Sequence, residues 1–206
     1  MQEGRQRFSR GATFLSRMGF VARHLTLREL EEGLEEIRKS PKDEGVLELI
    51  VRRPAEGARE ILPVAELDLH TGLAGDTWNQ RASSRTPDGS PHPDMQLNLM
   101  NARAIALIAG TRERWPLAGD QLYLDLDLAS ENLPAGTRLA LGTAVIEVTP
   151  QPHTGGRKFV ERFGAAAMKF VNSPVGRRHN LRGINAKVVQ PGRIAVGDVA
   201  RRIPVG

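Results

Sequence analysis

Apolar positions change period several times along this chain, and each change marks an element. Leu27, Leu30, Leu34 and Ile37 recur at helical spacing. Thr26 and Glu29 form a capping box before them, and Ser40-Pro41 stops the run, which predicts one short helix with an acidic outer face. From Gly45 the period falls to two. Val46–Val51 reads as a strand ended by Arg52-Arg53-Pro54, and Arg59–Leu67 as a second one interrupted at Pro63. His70–Asp76 is a glycine-punctuated turn, and residues 79–94 form a long polar loop of the kind that is often functional. Met95–Met100 is a short strand, after which Asn101 caps a helix over Ala102–Ala109 that Gly110 ends. Gln121–Leu128 alternates in strand fashion. Thr137–Leu141 and Ala144–Thr149 flank Gly142-Thr143 as a hairpin. Beyond the Pro150–Gly156 loop, Phe159, Val160, Phe163, Met168, Phe170 and Val171 describe a helix broken near Gly164. Asn185–Val189, Arg193–Val196 and Asp198–Ile203 close the chain as strands. Many short strands, two or three helices and no βαβ alternation predict a mainly β fold, a closed or semi-closed barrel with peripheral helices.

Composition supports this reading. The 206 residues include 21 Gly and 13 Pro, which suit tight turns better than a helical bundle. The length fits a single domain over residues 26–206, preceded by an Arg-rich arm over residues 1–25. The chain has no cysteine, so disulfides, thiolate metal sites and a thiol nucleophile are excluded. No apolar run reaches the ~20 residues that span a bilayer, and the expected location is the cytoplasm. Only nine aromatic residues are present, a poor basis for stacking single-stranded nucleic acid.

The net charge of +5 is a cancellation. Residues 1–25 carry +4, residues 26–149 carry −8 and residues 150–206 carry +9. The last block holds the clearest candidate chemistry. In Pro150-Gln-Pro-His-Thr-Gly-Gly-Arg-Lys-Phe159, two glycines expose backbone N–H groups, and a basic helix start follows; that combination suits an anion. His153, Thr154, Gly155, Gly156 and Lys158 are its candidate ligand contacts. In Gly176-Arg-Arg-His-Asn-Leu-Arg-Gly-Ile-Asn185, the preferred pair is Arg182 and Asn185. Asp76, which follows a glycine, reads as turn chemistry. The five histidines are scattered without ligand spacing, so no metal site is expected. Trp78 and Trp115 read as packing residues.

The same stretches resemble the MOSC domain, named for the C-terminal domain of molybdenum-cofactor sulfurases. Gly72-Leu-Ala-Gly-Asp76 looks like that family's Gly-Leu-x-Gly-Asp, and Gly119-Asp-Gln-Leu122 like its Gly-Glu-Asn-Leu. Leu133–Leu139, Leu141-Gly142 and Val145–Val148 resemble its barrel hairpin, and Pro152-His-Thr-Gly155 leads to the position of its characteristic Cys. The likeness runs over Gly45–Ile203. It implies a MOSC-type β-barrel and the handling of a phosphate-bearing molybdopterin-type cofactor. It would also imply sulfur transfer, but Gly156 stands at the Cys position, and thiol chemistry has nothing to run on. The resulting expectation is a protein that binds an anionic, phosphate-bearing small molecule through Thr154, Gly155, Gly156, Lys158, Arg182 and Asn185. The alternative is a hydrolase or lyase for an anionic metabolite, with His153 as acid/base and Asp120 as a second candidate base. A third reading makes the basic arm a docking segment for an acidic protein or RNA.

Overall fold

The computed structural model describes residues 23–204; residues 1–22 of the basic arm, and with them the arm's docking role, lie outside it. At Thr26 the capping box forms: its Oγ1 accepts the Glu29 N–H at 3.3 Å, and Glu29 accepts the Thr26 N–H at 2.8 Å. The single helix expected here is two, α1 (Leu27–Glu32) and α2 (Leu34–Arg38). They divide at Gly33, where a Cβ would lie 2.6 Å from the Leu107 side chain.

Strand β1 (Glu44–Arg52) alternates exposed and buried positions until a bulge between Leu47 and Leu49 shifts its phase. Leu47 and Ile50 therefore face one core, while Leu49 and Val51 face another. Pro63 cuts the expected Arg59–Leu67 strand into β2 (Glu60–Leu62), paired with β1, and β3 (Val64–Asp68), which joins a different sheet with β4 (Gly72–Leu73). Then come β5 (Leu97–Asn101) and α3 (Ala102–Ala109), whose N-terminus Asn101 caps by accepting the Ala104 N–H at 2.8 Å. A 3-10 segment over Arg112–Ala118 leads to β6 (Leu122–Asp125). The hairpin about Gly142 is β7 (Arg138–Leu141) and β8 (Ala144–Val148).

Two helices follow. In α4 (Arg157–Asn172) the break falls at Gly164, whose φ of +87° interrupts the helical backbone. The basic run after Pro174 opens as a helix, α5 (Pro174–Arg178), because Ser173 accepts the Gly176 N–H and Pro174 occupies the first turn. Strands β9 (Ile184–Gln190), β10 (Gly192–Ala195) and β11 (Val199–Arg202) complete the chain.

Seven strands close a barrel in the order β1-β11-β7-β8-β9-β5-β6, with β6 returning to β1. Every pairing in it is antiparallel except β5 with β6. That parallel pair needs a crossover, which α3 and the 3-10 segment supply. The fold thus contains one βαβ unit where the sequence pattern showed none, since a single eight-residue helix sets up no alternation.

Leu47, Leu99, Leu124, Leu139, Ile146 and Ala186 fill the barrel, and the small sheet β10-β3-β4 adds Leu67, Leu73 and Ile194 to that core. Outside the wall a second core gathers Leu30, Met100, Ile105, Tyr123, Phe163 and Phe170 under the helices. Among the described residues no helix is long and apolar enough to cross a membrane.

Candidate functional site

The outer face of the wall turns polar at the end where β1 finishes and β5 and β6 begin. Asn98 and Asn185 lie opposite each other across β5 and β9, and point away from the barrel interior that Leu97, Leu99, Ile184 and Ala186 occupy. Asn98 Nδ2 donates to Asn185 Oδ1 at 2.6 Å, and Asn185 Nδ2 donates to the Gln151 carbonyl at 3.0 Å. This bridge ties the sheet to the Pro150–Gly156 loop.

Two buried arginine–aspartate pairs flank it. Arg53, at the end of β1, grips Asp76 through Nε and Nη2, both at 2.8 Å, and spends Nη1 on Asn98 Oδ1 and the Gly119 carbonyl. Asp76 also accepts the Trp78 N–H at 2.9 Å. Its expected turn role is therefore real and is combined with a buried ion pair. On the other side Arg182 Nη1 meets both oxygens of Asp120, at 3.0 and 2.7 Å, and Nη2 donates to the Ala118 carbonyl at 2.9 Å. The Arg182 guanidinium lies 5.0 Å above the Phe159 ring, and its Nε has no hydrogen-bond partner among the described residues.

His153 completes the second cluster, its Nε2 2.7 Å from Asp120 Oδ1. Burial opposes the charge of Asp120, but Arg182 and then His153 outweigh it and hold the carboxyl down at about 2. Asp120 is thus ionised, an acceptor only, and the Nε2 of His153 carries the proton it receives. For His153 itself burial and then the Arg182 charge lower the pKa below 6.5, against the opposing pull of Asp120. The ring is therefore neutral at pH 7, with Nδ1 as its free lone pair. Among the described residues Nδ1 has no hydrogen-bond partner; it is not sealed from solvent, and the side chain is 14% exposed. Asp120, at 0% exposure, is walled off from any ligand.

Arg53, Asn98, His153 and Arg182 form the floor of a cavity of about 1050 Å³, at the upper end of the range of small-molecule sites. Seven Arg or Lys side chains line it, against one acid, Glu56. Besides Arg53 and Arg182 they are Arg59, Arg81, Arg157, Lys158 and Arg162. Among the expected ligand contacts, Gly156, Lys158 and Arg182 line the cavity along with His153. Thr154 is exposed outside it, Gly155 packs against Met168, and Asn185 is a buried strut behind the wall. Arg177 and Arg178, at the end of α5, are not among its lining residues. Sequence reasoning missed Arg53, Arg59, Arg81 and Arg162. Only Arg53 had a local signal, its place in the Arg-Arg-Pro strand end. No group of three metal-ligating side chains occurs among the described residues. Trp115 packs on Tyr123, as expected of a core aromatic.

No family model and no curated protein matches the sequence. Solved structures do match the fold. The YuaD protein from Bacillus subtilis superposes with a TM-score of 0.58 at 18% identity, over 79% of this chain and 97% of its own. YiiM from Escherichia coli gives a TM-score of 0.51 at 18% identity, over 78% of this chain and 71% of its own. YiiM from Geobacillus stearothermophilus gives 0.52 at 14% identity, over 78% and 75%. The chain has a MOSC-type β-barrel. At these identities the likeness concerns architecture alone. Within the MOSC-type barrel of this chain, Gly156 opens onto the cavity at the N-cap of α4, and a Cβ there would touch nothing within 4 Å.

Proposed function

We propose that the cavity binds an anionic, phosphate-bearing small molecule and, within that class, a molybdopterin-type cofactor. One observation carries this reading: Arg59, Arg81 and Arg162 face a single cavity with no carboxylate in ion-pair range among the described residues. Convergent cations held apart from acids are costly unless an anion joins them. A phosphate ester fits that wall, with Lys158 at the cavity edge. A bound metal would receive no thiolate from this chain, which lacks cysteine. Such a cofactor, when bound, supplies electron or oxygen-atom transfer; the chain's own part is to hold the phosphate and to offer Nδ1 of His153. Native mass spectrometry of the protein from a cofactor-producing host tests the proposal. An adduct that disappears in Arg162→Gln supports it. Clean apoprotein that also ignores added pterin and phosphate ligands sinks it.

The His153–Asp120 pair favours a second reading, a hydrolase or lyase acting on an anionic metabolite. Asp120 fixes the tautomer and ring orientation, and Nδ1 faces accessible space, the arrangement of a positioned general base. In this reading Asp120 is a positioning residue and not a second base, because it is buried, ionised and salt-bridged. His153→Gln then abolishes turnover of an identified substrate while its binding persists; full turnover in that variant removes His153 from the mechanism.

A further inference from the structure

The charge balance of the cavity specifies more than an anion. Four of its seven cations already have partners. Arg53 and Arg182 are matched by Asp76 and Asp120, each with a contact of 2.8 Å or less. Arg157 lies 3.4 Å from Glu161 and Lys158 3.1 Å from Glu56. Arg59, Arg81 and Arg162 remain, and they come from three separate segments: the turn between β1 and β2, the start of the polar loop, and α4.

Each of the three is aimed by bonds that leave its charge uncompensated. Arg59 donates through Nε to the Pro116 carbonyl at 3.1 Å and through Nη1 to the Ala58 carbonyl at 2.6 Å. Arg81 donates through Nε and Nη2 to Thr77 Oγ1, at 3.2 and 2.9 Å. Arg162 donates through Nη1 to the Leu117 carbonyl at 2.6 Å. Among the described residues Nη2 of Arg59, Nη1 of Arg81 and Nη2 of Arg162 make no hydrogen bond. The cations also press on one another. Burial first, and then the charges of Arg162 and Arg53, disfavour protonation of Arg59; burial and then Arg53 do the same to Arg81.

We propose that the ligand of this cavity carries a diphosphate, two adjoining phosphate groups whose three negative charges are matched by Arg59, Arg81 and Arg162. The proposal rests on the phosphate-binding reading above, not on the molybdopterin-type choice within it, whose single phosphate would leave one arginine unmatched. A phosphate monoester brings at most two charges and leaves one of the three arginines unmatched. A terminal diphosphate brings a third charge and more oxygens, enough to engage forks that reach it from three segments.

Isothermal titration of the full chain in EDTA at fixed ionic strength, with inorganic phosphate and inorganic pyrophosphate as probes, tests it. One additional charge-assisted contact corresponds to about 10- to 100-fold in affinity, so pyrophosphate is expected to bind tighter than phosphate by about that factor. Arg81→Gln removes a side chain bonded only to Thr77, and circular dichroism checks that the fold is kept. It is expected to cut pyrophosphate affinity about tenfold and shift phosphate affinity by no more than about threefold. Arg162→Gln repeats the comparison from another segment, and Arg138→Gln on the β7–β8 hairpin serves as a distant control. Equal affinity for the two probes, or an equal loss in the Arg138 control, overturns the diphosphate while phosphate binding stands. If neither probe binds, the phosphate reading falls and the diphosphate with it.

Discussion

Asp120 and Arg182 are an ion pair whose removal from either side has a calculable cost. The Asp120 carboxyl is fully buried, and its pKa falls from 3.8 to about 2, a difference equivalent to about 2–3 kcal/mol of native-state stabilisation. That is a net value: burial opposes the charge, so the attraction of Arg182 and His153 exceeds it. Asp120→Asn keeps the shape and removes the charge, stranding Arg182 in a site where its side chain is 9% exposed. Breaking one side of a buried pair costs about 3–5 kcal/mol, and Arg182→Met strands Asp120 at comparable cost. Removing both leaves no unpaired charge, so the double variant is expected to recover about 2 kcal/mol or more relative to the sum of the singles. Urea unfolding followed by circular dichroism measures all four proteins, and each single substitution lowers the midpoint by about 1–3 M for an ordinary slope. Additive losses, with a coupling below about 0.5 kcal/mol, would refute the claim that the two charges depend on each other.

Three further outcomes are expected. The His153 ring is neutral in the native protein, so an NMR titration places its midpoint below 6.5; the unfolded chain takes up the proton first, so this residue's share of stability is complete above pH 6.5 and is lost as the pH falls towards the native midpoint. Gly183→Ala puts a side chain at φ +114° with its Cβ 2.3 Å from the Leu99 carbonyl and 3.0 Å from His153, and is expected to lower stability by about 2 kcal/mol or more and move the His153 titration. Tyr123→Phe removes the 2.8 Å bond to the Trp115 carbonyl at a cost of about 1 kcal/mol in urea unfolding, and no loss at all would show that carbonyl to be satisfied otherwise.

The elements that sequence located well are those whose cause is local. The capping box at Thr26, the Asn101 cap, the Gly142 hairpin and the Gly164 break each depend on a few neighbouring residues, and each stands where its signal placed it. Barrel closure has no such signal. It depends on β1 pairing with β11, Glu44 opposite Arg201, across most of the chain. The β1 bulge and the transfer at Pro63 were likewise hidden, because both serve partners far away in sequence. A Pro inside a strand pattern marks a break without saying that the second half joins another sheet.

The site illustrates the same limit through charge. Block totals directed attention to the last quarter of the chain, and that quarter does supply Arg157, Lys158, Arg162 and Arg182. Yet Arg53, Arg59 and Arg81 come from the block that carries −8. Of the acids behind that total, only Glu56 lines the cavity. Glu31, Glu32 and Glu35 lie on the solvent face of the first two helices, while Asp76 and Asp120 are buried beneath the floor as counter-ions to Arg53 and Arg182. A segment's net charge therefore does not fix the potential of the pocket it borders. What decides is which acids the fold pairs and buries, and which arginines it leaves facing the opening.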